Sequence, residues 1–385
     1  MLLGLAVLFT VAAVEVLFRL AVFPDWRSLA PKVTVRHPVY GHYSAPNLAV
    51  RRFSPPDYDV VNHTNSLGFR DREAGIDEDL AGIWVLGDSN AFGGGLQDDE
   101  IFAAVLQFMG RKVANMASEG PDMTRMARVA KDMARRGHRP RAILYVGSLN
   151  AFIRDMRDSL AHFDDPLPAA EAPARTAVMG PAATWLAALR AAFLQHDAVT
   201  LLGLKTRLIR NSAAYGWVKV AANGVPALRR MFLRLGWRAD RDLVPSGFTP
   251  LLARDLGERA RVRIDSTADF AARLAEWTRA RFGVPFAMVL LPTQHDLYPA
   301  RFARFLAAAG LDPAAYRADL ARTRLAAALA ARGVPMLDLY NALEAHAGES
   351  LTFLDDAHFN RRGNRIIAEA IDRWLSHDLG LRAGG

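Results

Sequence analysis

The sequence contains no cysteine. Disulfide frameworks, thiolate metal sites and cysteine nucleophiles are therefore excluded, and any catalysis must run on oxygen or imidazole. The histidines are scattered without metal-ligand spacing, so neither a metal nor another cofactor is expected. Gly93, Gly94 and Gly95 lack the Gly-Lys-Ser/Thr ending of a phosphate loop and the spacing of a dinucleotide fingerprint. The Gly-x-Ser-x-Gly nucleophile elbow is missing. So is any interleaving of aromatic and basic residues of the kind a nucleic-acid module carries, and no nucleic-acid partner is expected. There is no internal repeat and no low-complexity run.

What remains is globular in composition. The chain has 385 residues, 51% hydrophobic and 23% charged, enough for one large domain or two modest ones. A net charge of +8, carried mainly by arginine, suits anionic lipid, acidic polymers and nucleic acid equally and does not choose among them.

One long hydrophobic run opens the chain. Residues 1–23 are apolar apart from Thr10, Glu15 and Arg19, and as a helix would extend ~34 Å, enough to cross a bilayer. Glu15 and Arg19 stand four apart and can pair. No basic stretch precedes the run and no small-x-small site follows it, so residues 1–24 read as an uncleaved single-pass membrane anchor rather than a cleaved signal peptide. The basic residues Arg27, Lys32 and Arg36 all follow it, and counting them would leave the rest of the chain in the cytoplasm. Residues 25–80 are irregular and proline-rich, an extended stalk or wrapping segment, with a turn at Asn65-Ser66-Leu67-Gly68-Phe69-Arg70.

From residue 81 to 378 short apolar runs alternate with helix-like stretches, the sign of a parallel sheet with crossover helices. Strands are expected at 83–86, 113–116, 142–146, 286–291 and 335–339. Helices are expected over 124–136, over 267–282 behind a Ser266 cap with Asp269 three residues on, and after Gly363, where Ile367, Ile371 and Trp374 share a face. Arg125, Arg128, Lys131, Arg135 and Arg136 give the first of these a solvated basic face. Between 155 and 265 the alternation breaks into helical segments carrying Trp185, Trp217 and Trp237. This insertion reads as a helical subdomain, a cap over the site or a surface resting on membrane.

The first strand ends in Gly87-Asp88-Ser89-Asn90. A serine at the carboxyl edge of a parallel strand is either a turn or cap residue or a nucleophile. Similar strand-end loops bring Gly120 after the second strand and Asn150 after the third. Near the end come Asp355, Asp356 and His358. A serine hydroxyl needs a base, which His358 supplies if a carboxylate holds its other nitrogen. Spacing permits either aspartate, and the three-residue offset favours Asp355. An ester carbonyl under attack needs preorganised donors for its oxyanion. Gly at 120 would let the backbone come close.

In order and position these residues resemble the SGNH hydrolases, or GDSL-type esterases, and in particular their membrane-anchored bacterial members. The likeness covers 82–150 and 283–378 and extends to the Asn-x-x-Gly-x-Arg turn and to Leu291-Pro292-Thr293. It implies a three-layer α/β/α sandwich on a flavodoxin-like parallel sheet of about five strands, with a Ser89–His358–Asp355 triad. The Ser89 and Gly120 N–H groups and the Asn150 amide would form the oxyanion hole. It also implies a catalytic domain on the periplasmic or extracytoplasmic side of the membrane and an O-acyl, especially O-acetyl, ester of an envelope polysaccharide as substrate. Lipid or thioester hydrolysis, acyl transfer through the same site, and a non-catalytic carbohydrate-binding or assembly role are the alternatives. Two departures stand out: Asn90 where an apolar or aromatic residue is usual, and Ser148-Leu149-Asn150-Ala151 in place of Gly-x-Asn-Asp. Asn90 and His295, the latter at a strand end, are possible substrate-lining residues.

Overall fold

Why the sheet forms where it does follows from burial on both faces. A computed structural model describes residues 2–29, 31–120, 122–149, 153–167, 211–225, 227–228, 231, 247–354 and 356–382. Every residue of Ile83–Gly87 (β5) and Phe286–Leu291 (β8) is buried, and so are all of Ala142–Ser148 (β7) except its last. Such strands can only be continuous apolar runs, since neither face meets water. With Val113–Asn115 (β6) and Met336–Asp338 (β9) they make one five-stranded parallel sheet in the order β6-β5-β7-β8-β9.

Helices cover both faces. Trp84 and Leu86 point to one side, where Met126 and Val129 of Met123–Arg135, Phe270 and Leu274 of Glu258–Phe282, and Leu325 of Leu320–Ala331 meet them. Ile83 and Val85 point to the other, against Phe102 and Leu106 of Phe102–Phe108 and Ile367 and Ile371 of Arg361–His377. Each such side chain, taken from water into this packing, contributes roughly 1.5–3 kcal/mol. Strand order reverses between β5 and β7, and in open α/β sheets that switch point is where a crevice opens at the carboxyl edge.

Three sequence expectations change. The segment 25–80 is not a plain stalk: Thr34–His37 (β1) and Gly41–Ser44 (β2) form an antiparallel hairpin, and Ala49–Ser54 (β3) pairs with Tyr58–His63 (β4). Val39, Tyr40, Tyr43 and Phe69 are core residues, and the turn after Thr64 is built as read, with Asn65 Oδ1 accepting the Leu67 and Phe69 N–H groups and Gly68 at φ +78°. Second, the helix expected from 267 starts at Glu258. Ser266 is no cap; its hydroxyl donates to the Val262 carbonyl one turn back and accepts the Met156 N–H. Third, the N-terminal α-helix (α1) spans Leu2–Leu17 and then widens into a π-helical stretch, Phe18–Val22, and a 3-10 turn, Pro24–Leu29. No helix among the described residues is long and apolar enough to cross a membrane.

The chain divides into two units, a larger one holding the sheet and a smaller one made of Met1–Lys32, Val50–Val60 and Ala174–Arg238. Of the 155–265 insertion, 168–210 and 232–246 lie outside the described residues, and with them Trp185 and Trp237.

Candidate active site

Ser89 stands directly beyond the carboxyl end of β5, as the first residue of a single helical turn, Ser89–Phe92 (α2). The turn can be this tight because Gly87 lacks a side chain: a Cβ there would lie 2.1 Å from the Val146 carbonyl oxygen and 2.7 Å from the Ala91 Cβ. Asp88 then adopts an extended backbone and caps the turn, its Oδ1 accepting the Asn90 N–H at 2.8 Å. Its Oδ2 accepts both the N–H and the hydroxyl of Ser148 at 2.9 Å, which ties the end of β7 to the end of β5. Ser89 is thus fixed by its neighbours on two strands, at the point where strand order reverses.

His358 arrives on a hairpin just before Arg361–His377 (α3). Thr352 bridges Phe359, the Phe353 N–H donates to the His358 carbonyl at 3.0 Å, and the Asn360 N–H donates to the Leu351 carbonyl at 3.0 Å. Asn360 also caps α3 by accepting the Gly363 N–H, while its amide donates to the Ser350 carbonyl at 2.7 Å. Held this way, His358 puts Nε2 2.6 Å from Ser89 Oγ across 269 positions of sequence. The opposite ring nitrogen, Nδ1, is hydrogen-bonded to Asp356 Oδ1, which also accepts the His358 N–H at 3.2 Å. The carboxylate that meets the ring is Asp356. Asp355, which the three-residue offset favours, lies outside the described residues.

Electrostatics match this geometry. Burial opposes charge on the His358 ring, yet the Asp356 hydrogen bond and charge, with smaller help from Asp88 and Glu119, raise its pKa above the ordinary histidine value. A protonated His358 ring is thereby stabilised. Asp88 is driven upward by burial, against the Ser148 and Asn90 hydrogen bonds and the His358 charge that favour its ionised form.

The remaining sequence candidates divide. Gly120 sits in the loop after β6, exposed, at φ +69°, with open space where a Cβ would be. Asn150 lies outside the described residues. Asn90 accepts the Phe359 N–H on its Oδ1 at 3.3 Å and so links the serine turn to the histidine hairpin. His295, in the short helix Gln294–Leu297, stacks on Phe305 at 4.8 Å and lies 5.7 Å from Phe302. Sequence reasoning did not assign roles to Asp88, Ser148 or Asn360. An Asp or Asn one residue before a helical turn is a cap signal and could have flagged two of them. A cleft of about 160 Å³ opens beside the hairpin, lined by Tyr298, Arg301, Glu349, Ser350, Thr352, Phe353 and Leu354. Among the described residues no group of three or more His, Asp or Glu could hold a metal.

No family model and no curated protein matches the chain. Solved structures do align with it. A crystal structure of a protein from Lactobacillus plantarum shares 15% identity over 77% of this chain and 96% of its own, with a TM-score of 0.35. A second crystal structure shares 10% identity over 77% and 95%, with a TM-score of 0.36. Likeness at that level carries no argument about function.

Proposed function

We propose that this protein is a serine ester hydrolase of the SGNH type, working through a Ser89 acyl-enzyme. The observation that carries the reading is the 2.6 Å contact between Ser89 Oγ and His358 Nε2, with Asp356 on the other side of the ring. Ser89 Oγ attacks the ester carbonyl while His358 Nε2 takes its proton. The tetrahedral oxyanion needs donors, and the Ser89 N–H, first of α2 and with no earlier helical turn to receive it, is one that the fold offers. The Gly120 N–H and the Asn150 amide are the others we assign. Collapse of the intermediate breaks the carbonyl–alkoxy bond, and His358 returns the proton to the departing alcohol. Water, deprotonated by His358, then releases the acid and regenerates Ser89; a second alcohol in place of that water would make the same site an acyltransferase.

We assign the substrate to O-acyl esters of carbohydrate, with acetyl as the acyl group. That assignment follows the resemblance to the membrane-anchored SGNH hydrolases. The test is p-nitrophenyl acetate turnover followed by acetate release from O-acetylated xylan. A pre-steady-state burst of one p-nitrophenol per chain, absent in Ser89→Ala, is expected. Turnover that persists undiminished in Ser89→Ala would refute the reading.

A further inference from the structure

The exposed apolar surface of this protein is not spread evenly. Among the described residues, every exposed large apolar side chain except Val61, Phe108 and Leu354 belongs to the smaller unit. Phe9 is 77% exposed and Leu20 76% on the N-terminal helical segment. Trp217, Val218 and Val225 stand exposed on or next to the insertion helix Ala213–Gly224 (α4), and Met231 follows. A patch of this kind marks an interaction site.

The two helical segments are joined by charge. Glu15 Oε1 accepts from Arg19 Nε at 2.7 Å and from the Ala213 N–H at 2.8 Å; Oε2 accepts from the Ser212 hydroxyl at 2.8 Å and from the Ala214 N–H at 3.4 Å. Arg19 Nη2 donates to the Asn211 carbonyl at 2.5 Å, and its guanidinium lies 4.9 Å from the Trp26 ring. Packing backs the polar clamp: Phe18 meets Trp217 edge-on at 5.6 Å, and a Cβ on Gly216 would come within 2.8 Å of Leu29. Both charges of the opening run are thus paired inside the unit, and besides Arg19 the donors to Glu15 come from the insertion.

We infer that α4 of the insertion and the N-terminal helical segment form one lipid-embedded module, whose exposed apolar face is covered by the hydrocarbon of a bilayer. The internal pairing of the only two charges in the opening run selects this occupant. In hydrocarbon a carboxylate and a guanidinium must be paired and fully hydrogen-bonded, whereas at an aqueous protein interface they need not be. Arg27, exposed just past the helical segment with its guanidinium 5.4 Å from the buried Trp26 ring, supplies a basic group at the edge of the module.

The absence of cysteine makes the test clean. Single Trp217→Cys, Val225→Cys, Leu20→Cys and Phe108→Cys variants of the full chain are labelled with an environment-sensitive fluorophore and reconstituted into phosphatidylcholine vesicles containing a doxyl-lipid quencher. Labels at 217, 225 and 20 are expected to shift to the blue and lose intensity to the quencher, while the label at 108 does neither. In a Glu15→Ala background the labels at 217 and 225 lose that quenching and the label at 20 keeps it. The inference falls if 217 and 225 behave like 108, whatever 20 does. It falls equally if their blue shift arises without vesicles and grows with protein concentration, which would make the occupant a second copy of the chain.

Discussion

Replacing Asp356 by asparagine tests which carboxylate orients the base. Asp356 accepts two bonds from His358, one from the backbone N–H at 3.2 Å and one from Nδ1. A carboxylate facing an imidazolium at ~4 Å is worth up to about 4 kcal/mol at an effective dielectric of 20, or roughly 10³ in rate. Loss of the Nδ1–H tautomer adds to this, and the corresponding Asp-to-Asn change in a serine protease triad lowers kcat about 10⁴-fold. Asp356→Asn is therefore expected to lower kcat/KM for p-nitrophenyl acetate by about 10³–10⁴ while the protein stays folded. The pH profile provides a second reading. Only the neutral ring can take the Ser89 proton, so activity falls as pH drops through the His358 pKa, which in the wild type lies above the ordinary histidine value. In Asp356→Asn, burial continues to depress the ring while its main upward cause is gone, so the acid limb moves to lower pH. Asp355→Asn should leave both rate and limb where they were. A large loss in Asp355→Asn with a nearly normal Asp356→Asn would refute the assignment.

Two further outcomes follow from the serine turn. Asp88→Asn can satisfy only one side of the strand-end junction, leaving the Ser148 or Asn90 donors facing an amide, and should destabilise by about 2–4 kcal/mol, read as a lower urea midpoint. Because burial raises the Asp88 pKa, the wild type is relatively stronger while Asp88 is protonated, so the gap to the variant narrows as pH rises through the carboxylate range. Gly87→Ala forces a Cβ against the Val146 carbonyl, a backbone atom that cannot move aside, and is expected to lower Tm with a loss of about 1–3 kcal/mol or more.

The sequence was most legible where burial was two-sided. The central strands β5, β7 and β8 could be placed because parallel strands buried under two helical layers read as nearly unbroken apolar text, and 286–291 was placed to the residue. Ser89 and His358 could be singled out in the sequence as a hydroxyl just past a strand and a histidine just before the last helix, and the structure brings them within 2.6 Å of each other. The choice between Asp355 and Asp356 was not, because adjacent residues differ only in how one hairpin turns. Segment 25–80 hid its hairpins because its strands, such as Thr34–His37 and Ala49–Ser54, are only four to six residues long and break the alternation of polar and apolar residues that marks a strand. The helix start at Glu258 was masked by Ser266 and Asp269, whose spacing imitates a capping box inside a 25-residue helix. The ion pair Glu15–Arg19 was foreseen from its four-residue spacing, but its further partners, 197 positions away at Ser212, leave no trace in local pattern.

The most direct measurement is covalent. Intact-protein mass spectrometry after treatment with a fluorophosphonate should show a single adduct on the wild type and none on Ser89→Ala, with the modified peptide containing residue 89. Absence of any adduct on folded wild-type protein, or equal labelling of Ser89→Ala, would contradict an activated serine at the end of β5.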